Sequence, residues 1–223
     1  MNNCLCKFKI NKNGFTLAEV LITLVIIGVI AAMTIPTLIN KTQNQEFVSK
    51  LKKTYSTFVQ ATNKIISEEG VPKGSIGGWA SSPENVYNMY KSRLSVAKDC
   101  GTGSGCFSQG SLKSLSGADE NVSRDGSNFY KFILADGVQV NISEIWVNTN
   151  CSFNDFGTYD ACARIQVDLN GAKGPNTIGR DVFLFALKEN GLFPYGCDDL
   201  SYCASYQGWG CACKVLRENA MNY

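Results

Sequence analysis

The 223-residue chain contains no histidine. That absence removes Ser-His-Asp and Cys-His catalysis, which need an imidazole to carry the proton. Cys-x-x-Cys is missing too, so the usual zinc donor sets have no source. No phosphate-cradling Gly-x-x-x-x-Gly-Lys-[Ser/Thr] loop and no dinucleotide fingerprint occurs. The acid pairs Asp119-Glu120 and Asp198-Asp199 are sequence neighbours and read as solvated loops, not as the separated carboxylates of a hydrolase. The sequence predicts a protein that is not an enzyme.

Charge is scarce, at 18% of residues, and nearly balanced, with 21 Lys and Arg against 19 Asp and Glu. Lys7, Lys9 and Lys12 precede the first apolar run; without them 18 basic side chains face 19 acidic ones. Such a balance argues against a nucleic-acid stripe or a polybasic membrane patch, and no dedicated nucleic-acid site is predicted.

What is present begins at Gly14-Phe15-Thr16-Leu17-Ala18-Glu19, which introduces an apolar run reaching Leu38 with Glu19 as its only charge. About 24 helical residues span roughly 36 Å, enough to cross the hydrocarbon layer. Three readings compete: a secretory signal cut after the apolar core, a plain signal anchor, and a precursor cut before the run. Glu19 separates them. A carboxylate in a membrane-length helix is costly, and neither of the first two has a use for it. With Gly28 and Pro36, the stretch from Gly14 to Pro36 resembles the cleavage and methylation segment of type IV prepilins and type II secretion pseudopilins.

That resemblance implies a leader, residues 1–14, removed by a membrane-embedded prepilin peptidase that cuts between Gly14 and Phe15 and N-methylates Phe15. It also implies an assembly role for Glu19, whose carboxylate would neutralise the new α-amino group of a neighbouring subunit in an apolar bundle. Gly28 and Pro36 become helix-distorting positions; proline removes a backbone donor in any case. Lys41, Lys50, Lys52 and Lys53 follow the span closely, so charge bias alone does not set the topology. The leader motif and the distal cysteines place the N-terminus in the cytoplasm, with one pass through the cytoplasmic membrane and the rest outside.

Past the span, Phe47, Leu51, Tyr55, Phe58, Val59, Thr62, Ile65 and Ile66 recur at helical spacing until Gly70 and Pro72 stop the pattern. The expected division is 15–38 for the membrane and filament-core helix, 39–70 for its amphipathic continuation and 71–223 for an extracytoplasmic domain. Residues 71–82 read as a loop. Ser82-Pro83 reads as a helix start, with Val86, Met89, Tyr90 and Leu94 as the apolar face. Residues 107–128 look polar and irregular. Phe129–Ala135 and Val138–Ile145 flank Asp136-Gly137, a hairpin dipeptide. Cys162–Leu169 and Val182–Leu187 are two more strands, with Asn190-Gly191 and Leu192-Phe193 following. The predicted fold is α+β and pilin-like: one long N-terminal helix on an antiparallel sheet of about four strands, with a disulfide-rich, loop-like region from Tyr195 onward.

Cys4 and Cys6 lie in the leader, and eight cysteines lie beyond the span: Cys100, Cys106, Cys151, Cys162, Cys197, Cys203, Cys211 and Cys213. An even distal count fits disulfides in an oxidising compartment. Short closures favour Cys100–Cys106 and Cys151–Cys162. Cys211 and Cys213 are too close for an easy mutual bridge and are expected to pair with Cys197 and Cys203.

Asp168, Asn170, Asn176 and Asp181 punctuate a glycine-bearing connection between two predicted strands. These four side chains supply oxygens of the kind calcium takes, and the connection is similar to the calcium loops of some secretion pseudopilins. Lys173 inside it, and the lack of a glutamate twelve residues on, depart from an EF-hand. The other reading is a turn whose Asp and Asn satisfy backbone donors. No other cofactor is expected.

These features together predict a structural subunit of a type IV pilus or type II secretion pseudopilus. Its partners would be prepilin peptidase, other pilin or pseudopilin subunits and their assembly machinery. The alternative is a minor or tip pilin that binds a ligand, DNA or a surface through the loops of Cys151–Tyr223.

Overall fold

The computed structural model describes residues 14–70, 76–107, 110–120, 124–143, 147–205 and 207–223. The expected leader up to residue 13, residues 71–75 of the expected loop and the end of the expected strand at Glu144-Ile145 lie outside them. By its internal packing the chain divides after Gln43.

Helix α1 runs from Leu17 to Glu68, continuous through Gly28 and Pro36. In its part before Gln43 the large apolar side chains, from Leu17 to Ile39, are exposed. From Asn44 onward the stripe behaves differently: Phe47, Val48, Leu51, Phe58, Ala61 and Ile65 are buried, with Tyr55, Val59 and Ile66 packed against the same core. Thr62 is buried as well, and its hydroxyl lies 2.7 Å from that of Tyr90.

The partner of this stripe is a seven-stranded antiparallel sheet. Its strands are β1 (Val96–Gly101), β4 (Phe129–Leu134), β5 (Gln139–Ser143), β6 (Phe153–Asp155), β7 (Thr158–Asp168), β8 (Val182–Lys188) and β9 (Gly191–Pro194). The order is β1-β4-β5-β7-β8-β9, with β6 on the free end of β7. β2 (Leu112–Lys113) and β3 (Asp119–Glu120) form a separate two-stranded ladder. Asp136-Gly137 makes the β4–β5 turn as expected, with Gly137 at φ 85°, a conformation that side chains disfavour. The sheet is wider than the four strands expected, because β1, β6 and β9 are short or charged and carry little alternation.

Strand alternation sorts the residues by face. Phe132, Val140, Val167 and Phe185 lie on the side of α1, where Phe185 meets the rings of Tyr55 and Phe58. Helix α3 (Pro83–Arg93) closes the same side; Ser82 caps it by accepting from Asn85 N–H at 3.1 Å. A one-turn helix, α2 (Ile76–Trp79), precedes α3 in the stretch expected to be loop.

The opposite face carries Lys131, Gln139, Asn141, Ser143, Gln166 and Asp168, which are polar yet buried. Thr102 and Gly126 meet Lys131 there, and Arg124 meets Asp168. Arg124 and Gly126 belong to the stretch 107–128 expected to be polar and irregular. Lys131 shows what such burial demands. Its ammonium donates to the carbonyls of Gly126 (2.6 Å), Phe129 (3.1 Å) and Thr102 (3.3 Å), while burial pushes its pKa down.

Four disulfides close the domain: Cys100–Cys106, Cys151–Cys162, Cys197–Cys213 and Cys203–Cys211. The two short closures are those read from spacing. The C-terminal region is not the loop expected. It contains α4 (Tyr202–Ser205) and α5 (Cys211–Glu218), whose Cys211, Ala212 and Val215 are buried. Cysteine density masked that helical face.

Candidate functional site

Two groups of residues carry the candidate chemistry. The first is the start of α1. Thr16 precedes the helix and Glu19 sits in its first turn. Glu19 Oε2 accepts from the Thr16 N–H and the Thr16 hydroxyl, both at 2.8 Å, while Glu19 N–H donates back to Thr16 Oγ1 at 3.3 Å. This is a reciprocal capping box, the Thr-x-x-Glu pattern that satisfies backbone donors at a helix start. The acid therefore has a local use that the sequence reading missed, although Thr16-x-x-Glu19 was there to be read. It fixes the carboxylate three residues from Thr16, beside the expected Gly14–Phe15 junction. Phe15 itself is 87% exposed.

A family model described as the prokaryotic N-terminal methylation motif matches residues 9–35, a range that holds Phe15, Glu19 and most of the apolar run. The chain carries a prepilin-type cleavage and methylation motif. No curated protein and no solved structure matches the chain. The prepilin-type motif ends one residue before Pro36 and leaves the sheet-bearing domain outside the match. That domain, with the long helix packed on an antiparallel sheet and its disulfides, is α+β and pilin-like in architecture.

The second group is the β7–β8 connection. Asp168 closes β7 and Asp181 immediately precedes β8; both are fully buried. Asp168 Oδ1 accepts from Gly171 N–H (2.9 Å) and Asn170 N–H (3.3 Å). The two Asp181 oxygens accept from Thr177 N–H (2.6 Å) and Asn176 N–H (2.8 Å). Asn170 donates through its amide to the Gly174 carbonyl at 2.9 Å. The four side chains chosen from sequence therefore share one loop.

A fifth residue joins them. Arg124, buried, places Nη1 2.5 Å from Asp168 Oδ2 and Nη2 3.4 Å from Asn176 Oδ1. The Phe107 ring lies 5.1 Å from its guanidinium carbon. Burial pushes the Asp168 carboxyl up to about 6 against the pull of Arg124, and burial also pushes Asp181 up. No sequence signal connected Arg124 to a loop more than forty positions away.

The cysteines form bridges and not a metal centre where they approach an acid. Cys151, Cys162 and Glu189 offer ligand atoms within 4.8 Å of one another, but the two sulfurs are bonded together and cannot act as thiolate donors. Asp198, one of the adjacent acids, is taken up by Lys188 at 2.7 Å.

Proposed function

We propose that the chain is the precursor of a helical-filament subunit, of the type IV pilus or type II secretion pseudopilus kind. Residues 1–14 are removed by prepilin peptidase, Phe15 is N-methylated, and residues 15–38 anchor the subunit in the cytoplasmic membrane until it is extracted into the filament. Residues 39–70 continue that helix, and 71–223 form the domain outside the membrane. The observation that carries this reading is the methylation motif on a helix whose large apolar side chains are exposed from Leu17 to Ile39. Two environments accept such a surface: lipid before assembly, and a bundle of like helices after it.

Glu19 supplies the register in this reading. In the bundle its carboxylate meets the α-amino group of Phe15 from an adjoining subunit, and each charge relieves the other's burial. The long amphipathic continuation holds the folded domain to the helix it decorates. Mass analysis of the mature protein tests the reading: loss of residues 1–14 and one methyl group on Phe15 are expected. A mature protein that keeps its leader overturns it.

A further inference from the structure

Two of the four oxygen-bearing side chains that invite a hard cation at the β7–β8 connection, Asp168 and Asn176, already meet a guanidinium. We propose that Arg124 is the resident cation of this loop: it closes residues 168–181 without a divalent ion, and the loop becomes a calcium site only when Arg124 is removed.

The donor set decides the matter. Calcium requires six to eight oxygens at about 2.3–2.6 Å. Of the four carboxylate oxygens of Asp168 and Asp181, three accept backbone N–H groups, from Asn170 and Gly171, from Asn176 and from Thr177. The fourth, Asp168 Oδ2, accepts from Arg124 at 2.5 Å. The Asn176 side-chain oxygen, Oδ1, faces the second terminal nitrogen of the same guanidinium at 3.4 Å. A divalent ion placed among these oxygens meets a buried positive charge, so it does not fit while Arg124 is there.

The guanidinium is also better suited to this frame than an ion. It is planar and always charged, and it matches two separate acceptors without the crowded shell that calcium demands. The Phe107 ring stacks beside it, in a segment tied down by Asp125, whose carboxylate accepts from Gly105 and Phe107 N–H groups. Arg124 thus fastens the segment covering the sheet to the β7–β8 connection. Truncating it leaves Asp168 Oδ2 and Asn176 Oδ1 without this donor, and Asn170 Oδ1 in the same connection already has no hydrogen-bond partner. Those three oxygens, the second lone pairs of the carboxylate oxygens that already accept N–H groups, and water then complete the shell of a hard cation once the guanidinium charge is gone.

Thermal melting and equilibrium dialysis of the full-length protein in detergent, in chelator and in millimolar calcium, test this. The wild type is expected to melt at the same temperature in both and to bind no calcium. Arg124→Ala in chelator should melt on the order of 6–20 °C lower, the consequence of stranding a buried partner. Calcium should restore part of that loss and bind stoichiometrically, and adding Asp168→Ala should abolish both gains. If Arg124→Ala does not fold in chelator, refolding it and Arg124→Gln with calcium becomes the readout, and recovery of either supports the proposal. Calcium binding or a calcium-dependent rise in the wild type overturns it. So does the absence of any calcium gain in both variants.

Discussion

Residues 17–43 and 44–68 belong to one helix and follow different rules. In the first part Leu, Ile and Val occur on every side, and Leu17, Ile22, Val25 and Met33 are all exposed. In the second, apolar side chains keep to one stripe, and Leu51, Phe58 and Ile65 are fully buried against the sheet domain. Lys53 turns outward and meets Asp136 of the β4–β5 turn at 2.9 Å. A stripe specifies one partner surface, whereas an apolar cylinder accepts lipid or several neighbouring helices. The contrast teaches that the chain supplies the partner for one part and leaves the other to its surroundings.

The largest effect that separates the two parts is expected from side-chain truncation. Phe58→Ala should cost about 3–5 kcal/mol in chemical unfolding of the detergent-solubilised protein. Ile26→Ala should change the same unfolding by less than about 0.5 kcal/mol, while lowering recovery in filaments. Equal effects on unfolding would erase the distinction.

The next effect compares burial with covalent closure. Replacing Cys197 and Cys213 by alanine should cost about 2–4 kcal/mol. Their loop, with a sequence separation of 16, should contribute more than Cys100–Cys106, with 6. A smaller gap separates the two helix caps. Ser82→Ala should lower the unfolding free energy by about 1 kcal/mol, since Ser82 starts a helix packed on the core. Thr16→Ala should leave domain unfolding unchanged, because its cap lies in the exposed part.

The smallest expected effect is on pH dependence. Burial pushes the Asp198 carboxyl up, but hydrogen bonds from Lys188 and the Tyr159 N–H outweigh it and hold the group below the usual carboxylate range. Its contribution is therefore present above the unfolded value of about 3.9 and is lost as pH falls through the folded value. Lys188→Met should flatten the acid limb of the stability profile below about pH 4. An unchanged limb shows that this pair does not hold the C-terminal segment to β8.

The features visible in the sequence were those set by local chemistry. Asp136-Gly137 is a turn by its own conformational demand, and Ser82-Pro83 announces a helix by capping and fixed φ. The heptad-like stripe from Phe47 needed only periodicity. Strand β1 was hidden because an edge strand carries charge, here Lys98 and Asp99, to discourage pairing with other chains. The buried polar face around Lys131 and Arg124 was hidden for another reason. Lys131 is the one charge in the apolar strand β4 and Arg124 lies in a polar segment, and only the tertiary fold brings carbonyls around the first and a carboxylate to the second.

At the candidate assembly site, the chemistry of Glu19 was legible while its second role was not. The carboxylate caps its own helix through Thr16, so alanine at this position removes cap and charge together. Glutamine keeps the capping-box geometry and deletes only the charge. The sharpest measurement is therefore the fraction of Glu19→Gln subunits, processed to Phe15, that is recovered in filaments when expressed beside wild-type protein. The charge-pairing account predicts normal processing and retention in the membrane, with little or none in filaments; incorporation at the wild-type level contradicts it.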